Sequence, residues 1–542
     1  MEDGIRTPKM DGPVTFGLRK GPTLAGRVLR GFGRDEDGSL LVFGLVLFVL
    51  MSMMGGLAVD LIRYEQRRTD LQQTLDRSVL AAASLSQKLN PIDVVNDYFD
   101  KANLSDYIEN VSAPSGLNYR IVQAQAASPV APYFMQMIGI NGMSAKAVST
   151  AEQRISNVEV SLVLDVSGSM RGSRINNLRP AAVEFVDSVL ATSDPGRVTL
   201  SIVPYNANVN VGRDLMKQFN VTENHTTSFC IELPDSVFSS VALSKTLKMT
   251  HNAHFDPYYG YNTYGAKNML FHCTPNSSNE VVALSDDKTK LHSAINNMEV
   301  DGNTSIDVGV KWGALLLDES SQPIVQGLIT AGKVKSIYSG RPLTRATHDV
   351  MKVLVVMTDG QNTTEYKIRD PYNSGMSPIW KRNSNGDLSI YHEGQGESGK
   401  KKKDPRKDFY WLDDRDWDDE PDGGTSGATQ LTWQQVWANY TVDYIAYQLY
   451  SRPLGGSYSN YYYDFVDYVW SNKNARLQSI CSAAKAAGIV VYGIGFEAPS
   501  DGRNQLRACA NSDAHYFDAS GLEISTAFRA IANNISQLRL TQ

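Results

Sequence analysis

An α/β fold, with a mostly parallel sheet wrapped by helices on both faces, is predicted behind an N-terminal membrane-spanning helix. Three observations predict it. Short apolar strands alternate with amphipathic helices from residue 158 onward, one uncharged run of 21 residues (39–59) lies near the N-terminus, and hydroxyl and carboxylate residues recur where strands end. Strands that alternate with helices pair in parallel, because each crossover helix returns the chain to the same edge of the sheet.

The elements are justified in chain order. Residues 1–37 scatter Arg6, Lys9, Arg19, Lys20, Arg27, Arg30 and Arg34 among Gly and Pro without periodicity, so a disordered basic tail is expected. The run 39–59 has the length that spans about 30 Å of hydrocarbon. It is too long for the core of a signal peptide, and Asp60-Leu61-Ile62-Arg63 continues as helix in place of a cleavage site. The basic tail places the N-terminus in the cytoplasm, and Arg63, Arg67 and Arg68 weaken that vote without reversing it. A single-pass anchor over 38–60 is therefore expected, with the bulk of the chain outside the cytoplasm.

Beyond the span, residues 60–89 contain no Pro or Gly, and Leu71, Leu75 and Val79 repeat every four residues. That spacing predicts a stalk helix continuous with the span, ended by Pro91. Residues 91–150 alternate helix and strand signals, notably at 119–126 and 143–153, so 61–150 is expected to be a stalk with a small α+β module. Residues 157–542 carry the main domain. Strands are expected at 158–164, 198–203, 353–357, 489–494 and 515–517. Helices are expected near 176–191, 288–298, 305–317, 475–487 and 522–538, with Gly488 closing the fourth of them. Three stretches break this rhythm, near 205–280, 319–348 and 361–470, and are expected as insertions between core elements. The last contains the basic run 400–403, an acidic run over 413–422 and the tyrosines 461–463. With Tyr468 and Trp470, those tyrosines read either as partner-facing aromatics or as the insertion's own core, and core is the expectation.

The chemistry sits at strand ends. Asp165-Val166-Ser167-Gly168-Ser169 follows the first core strand, placing one carboxylate and two hydroxyls two residues apart at a sheet's carboxyl edge, where ligands bind in open α/β folds. Gly302-Asn303-Thr304 precedes a helix, and Met357-Thr358-Asp359-Gly360 ends another strand. Taken singly, Thr304 reads equally as a helix N-cap and Asp359 as a turn residue. Jointly they form a set of hard oxygen donors, which suits Mg²⁺ or Mn²⁺.

This set resembles the metal-ion-dependent adhesion site of von Willebrand factor type A (VWA) domains. The resemblance implies Ser167, Ser169 and Thr304 as hydroxyl ligands, direct or through water, with Asp165 and Asp359 as charge-balancing carboxylates. It also implies a coordination position left for an acidic side chain of a protein partner. A second resemblance lies outside this domain. The segment Gly38, Gly55-Gly56-Leu57-Ala58-Val59-Asp60 and Asp76-Arg77-Ser78-Val79-Leu80-Ala81-Ala82-Ala83 looks like the N-terminus of TadG-like proteins of the Flp/Tad pilus system. The stretches 134–140, 145–148 and 481–509 are similar to the same family. This implies a bacterial inner-membrane setting and pilus or envelope components as partners. Related pilins are cut after a glycine followed five residues on by glutamate. Phe43 stands there after Gly38, so a retained anchor is expected.

Four cysteines, Cys230, Cys273, Cys481 and Cys509, allow three connectivities. In an oxidising compartment Cys230–Cys273 and Cys481–Cys509 are the expected pairs, against four separate thiols. His251, His254, His272 and Cys273 raise zinc as a lesser reading, in a stretch that lacks a defined fourth ligand. Residues 418–423 look like half of an EF-hand loop, but Pro421 intrudes and Thr429 stands where glutamate is needed, so a solvated acidic loop is expected. The net charge of −6 argues against a nucleic-acid partner. No P-loop, nucleophile elbow or HExxH helix is present. The expected function is therefore binding in pilus assembly or surface adhesion, without catalysis. The alternatives are a scaffold whose ion only orders loops and a metal-dependent hydrolase.

Overall fold

The computed structural model describes residues 39–541, except 85, 86, 88, 115–118, 155, 156, 192–195, 276, 345–349 and 396–406. The expected basic tail 1–37 and the basic run 400–403 lie outside the described residues. The chain divides into two compact units, Met1–Arg154 and Ile155–Gln542.

In the first unit, helix α1 (Ser39–Ala83) runs for 45 residues, roughly 65 Å at 1.5 Å per residue. Leu40, Phe43, Phe48 and Met54 in its first half are exposed around the whole circumference, which fits a single-pass anchor in lipid. Its second half buries Leu71, Leu75, Val79 and Ala82 against an antiparallel sheet of β1 (Ile108–Ser112), β2 (Tyr119–Val130) and β3 (Met143–Arg154). Val122, Ala124 and Ala126 alternate along the covered face of β2, as the two-residue strand period requires. Pro91 opens a helix instead of ending one. α1 stops at Ala83, and α2 (Pro91–Lys101) begins on Pro91, with Asn90 accepting the Ile92 N–H. A proline's missing N–H costs nothing at that position.

In the second unit, β4 (Asn157–Asp165), β5 (Val198–Tyr205), β6 (Val282–Ser285), β7 (Val350–Thr358), β8 (Val490–Phe496) and β9 (Tyr516–Ala519) form one sheet. Its spatial order is β6-β5-β4-β7-β8-β9. All neighbours run parallel except the edge strand β6. This is the doubly wound order, whose reversal on either side of the first strand opens a crevice at the carboxyl edge. Central strands are buried on both faces: Val160, Leu162 and Leu164 of β4 pack on one side and Val163 on the other. The first side is covered by α3 (Ser173–Leu190), α4 (Lys288–Asn296) and α9 (Glu523–Thr541). The other is covered by α5 (Ile306–Leu315), α6 (Gln322–Thr330), α7 (Lys473–Ala486) and α8 (Ser500–Cys509). Gly488 closes α7 at φ 73°. Strand β6 and helices α6 and α8 were not legible in the sequence, since each is short and flanked by polar turns.

Every residue of α5 is buried, and its glycines allow the close approach. A Cβ at Gly313 would fall 2.4 Å from Val163 Cγ2 and 2.8 Å from Leu354 Cδ1. Gly313→Ala is therefore expected to destabilise the second unit by about 1–3 kcal/mol, through overpacking that outweighs alanine's better helix propensity. Urea unfolding of the two proteins checks this. A gain in stability would show that the helix shifts freely.

The stretch between β5 and β6 is tied by Cys230–Cys273, and a second disulfide joins Cys481 to Cys509. The stretch between β7 and α7 builds a five-stranded antiparallel sheet from Asp416–Asp418, Phe409–Trp411, Leu388–Tyr391, Met376–Arg382 and Ala428–Thr432. Beside it Trp433, Trp437, Tyr462 and Phe465 form a separate aromatic core. The tyrosine reading needs correction here. Tyr462 is core, whereas Tyr463, Tyr468 and Trp470 are exposed, because the helix that carries Tyr462 buries only one face and the strand after it lies at a sheet edge.

Candidate metal centre

Three loops meet at the carboxyl edge of the sheet: two follow strands β4 and β7, and the other joins α4 to α5. The first begins at Asp165, the last residue of β4. Its Oδ1 accepts the Ser167 N–H at 2.8 Å, bending the chain so that both serines face inward. The Ser167 and Ser169 hydroxyls are 3.1 Å apart. The second loop holds Thr304, and the third holds Asp359 directly after β7. Ser169 Oγ donates to Asp359 Oδ1 at 2.7 Å, and Thr358 Oγ1 donates to Asp165 Oδ2 at 2.5 Å. Thr304 Oγ1 and Ser169 Oγ would lie 3.3 and 3.8 Å from a Cβ at Gly360. Glycine there leaves room for the hydroxyls to converge. Asp165, Ser167, Ser169, Thr304 and Asp359 thus share one locus.

The loops are fastened by the protein's own backbone. Gly168 N–H donates to Gly302 O at 2.9 Å, and Thr363 N–H to Thr304 O at 2.9 Å. Thr363 Oγ1 accepts the Thr304 N–H at 2.8 Å. The Ile306 N–H at the start of α5 is satisfied by Asn362 Oδ1, and the cap position is Ser305. Thr304 therefore does not serve as the N-cap that its sequence context allowed.

Above the loops opens a cleft of about 570 Å³, lined by Ser169, Thr304, Asp359, Thr363, Arg174 and Glu497 among others. The last two were missed in the sequence. Arg174 Nη1 donates to Asp359 Oδ2 at 2.7 Å, and its Nε to Glu497 Oε2 at 2.9 Å. Arg174 sits on the first turn of α3, nine residues after Asp165, with no motif to mark it. Glu497 directly follows β8, at φ 52°. Burial, and then the charge of Asp359, hold the Asp165 carboxyl above the ordinary carboxylate range. Burial likewise raises Asp359, against hydrogen bonds from Ser169 and Arg174. The locus is thus rich in hard oxygen and short of positive charge, which a small divalent cation would supply.

The other sequence candidates separate. His251 bonds to Asn224 N and Ser228 O, and His272 to the Tyr258 hydroxyl and Tyr366 N. Cys273 is in a disulfide. With these three engaged, His254, whose Nδ1 lies 3.4 Å from Ser228 Oγ, is the one candidate left, too few for a closed zinc site. The acidic run is only partly solvated. Asp422 is buried and paired with Arg382 at 3.1 Å, and its carboxylate lies with those of Asp387 and Asp413 within 4.8 Å.

Strand order and helices on both faces define the second unit as a doubly wound, Rossmann-like α/β domain. Residues 38–85 match the family model described as putative Flp pilus-assembly TadE/G-like. No curated protein matches the chain. Among solved structures, the vWF domain of the type V pili tip protein Mfa5 from Porphyromonas gingivalis is 13% identical, covering 71% of this chain and 96% of that one at a TM-score of 0.31. The pilus adhesin SpaC from Lactobacillus rhamnosus GG is 12% identical, covering 79% of this chain and 33% of that one at 0.28. The pilus adhesin RrgA from Streptococcus pneumoniae is 11% identical, covering 80% and 50% at 0.27.

Proposed function

We propose that the chain is a single-pass inner-membrane protein with a cytoplasmic N-terminus, whose VWA domain binds Mg²⁺ or Mn²⁺ in the periplasm. Through that ion it grips an acidic side chain of a pilus or envelope partner. The observation that carries the reading is the convergence of Ser167, Ser169, Thr304, Asp165 and Asp359 beneath one open cleft. Ser167, Ser169 and Thr304 would hold the ion, with Asp165 and Asp359 balancing its charge. The bound ion would offer an electrophilic position to an incoming carboxylate. Ser169 and Asp359, already hydrogen-bonded, are preorganised for that task, and Arg174 is placed to meet the same incoming group. The TadE/G-like match over the anchor supports the pilus-assembly setting.

The scaffold alternative is less well supported, because backbone hydrogen bonds already tie the three loops together without an ion. A hydrolytic role lacks a poised base. Glu497, the carboxylate lining the cleft besides Asp359, is paired with Arg174, which holds it below its ordinary range.

Asp359→Ala tests the reading in cells that carry this chain, at unchanged abundance and with the circular dichroism of the purified protein unchanged. Loss of surface pili or of adhesion is the expected result. A normal phenotype from a folded variant would reject the ion grip.

A further inference from the structure

The span in the first unit has a neighbour. Asp60, the first charged residue after the uncharged run, is fully buried. Its carboxylate accepts three successive backbone N–H groups, from Tyr133 at 2.8 Å, Phe134 at 2.7 Å and Met135 at 2.8 Å. The loop joining β2 to β3 is thereby bolted to α1 at the exit from the apolar run. It reaches further back. A Cβ at Gly56 would fall 2.4 Å from the Phe134 ring, so the ring lies flat on the helix four residues inside the run. Four residues of helix are about 6 Å, within the 5–10 Å to which interfacial segments enter the boundary between headgroups and acyl chains.

The loop's composition agrees with that depth. No charged residue occurs from 121 to 145. Tyr133, Met137, Ile138 and Ile140 are 66%, 72%, 50% and 42% exposed, a cluster of large side chains that leave much of their apolar surface uncovered. Arg63 sits 3.9 Å over the Tyr133 ring and donates to Ala131 O, the aromatic-and-cation pairing favoured at headgroup level.

From this we infer that residues 131–142 form a membrane-dipping loop, inserting Phe134, Met137, Ile138 and Ile140 into the lipid leaflet from which α1 emerges. Its occupant is lipid, because the loop is continuous through Gly56 with the lipid-facing surface of the span. A lone helix pivots freely in a bilayer, whereas a helix with a second apolar foot beside it holds its stalk at a set inclination. The inference rests on the single-pass reading of α1, and its test keeps the two apart.

The full-length chain is reconstituted into phosphatidylcholine–phosphatidylglycerol vesicles as single-site variants Val46→Cys, Met137→Cys, Ile140→Cys and Glu109→Cys. Each carries an environment-sensitive fluorophore, and lipids bear nitroxide quenchers near the headgroup or deep in the chain. The expected result is about twofold or greater quenching at Met137 and Ile140 by the shallow quencher, deep quenching at Val46 and none at exposed Glu109. Met137 and Ile140 probes that respond like Glu109, while Val46 is quenched, would overturn the loop and leave the anchor intact. Probes shielded from aqueous iodide but untouched by lipid quenchers would also overturn it, by making a second protein the occupant. An unquenched Val46 would remove the anchor itself.

Discussion

Mg²⁺ titrated into the detergent-solubilised full-length chain is expected to bind saturably, and Asp165→Ala with Ser167→Ala to weaken that binding by at least about a hundredfold. The pair removes one of two carboxylates and one of three hydroxyls from the set that would hold the ion and balance its charge. Calorimetry reads the loss directly, with circular dichroism confirming the fold. Asp165 is fully buried, and burial and the Asp359 charge together hold its carboxyl above the ordinary range. A raised folded-state value means that the folded chain binds the proton more tightly than the unfolded one. This contribution to stability is present at acid pH and is lost as pH rises above about 4. The metal-free protein is thus expected to lose stability toward neutral pH, and saturating Mg²⁺ to restore it. A folded wild type that binds neither Mg²⁺ nor Mn²⁺ would sink the metal reading.

The second large effect lies beneath the Thr304 loop. Arg476 of α7 is buried, with its Nε 3.0 Å from Asp307 Oδ2 and its Nη1 3.2 Å from Glu365 Oε2. Its guanidinium lies 3.9 Å over the Phe238 ring. Lys473 completes the cluster, 3.6 Å from Asp307 and hydrogen-bonded to Ser305 Oγ. Burial pushes Glu365 up, yet the surrounding cations Lys473, Lys367 and Arg476 outweigh it and hold its carboxyl below the ordinary range. Arg476→Met keeps the volume and removes the charge, stranding two buried carboxylates on lysines alone. The expected cost is about 3–5 kcal/mol, read as a lowered urea midpoint at unchanged slope. A shift under about 0.5 kcal/mol would mean that water or protonation relieves the cluster.

Much of the site was legible because its signals are local. A helix long and apolar enough to cross a membrane declares itself by 21 uncharged residues. Strands that are buried on both faces read as unbroken apolar runs, and hard donors placed directly after them fall at one edge once the strands are parallel. Arg174 and Glu497 were not legible, since nothing in their neighbourhoods distinguishes them from surface charges. Only the packing of α3 against the end of β8 sets both beside Asp359.

The insertions show the same division. Their strands are two to seven residues long, too short for a period to rise above turn residues. The separation of core Tyr462 from exposed Tyr463, Tyr468 and Trp470 depends on which neighbours arrive from afar. The cysteine pairs expected from the sequence, Cys230–Cys273 and Cys481–Cys509, are the ones the fold closes. The sequence by itself determined the long apolar helix, the alternating strands and the order of the candidate donors, because hydrophobic periodicity and side-chain chemistry are properties of consecutive residues. The tertiary structure alone decided the cation at Asp359, the buried ion cluster under Thr304 and the loop bolted to Asp60. Each of these joins residues more than 50 apart in the chain, and only the fold brings them within hydrogen-bonding reach.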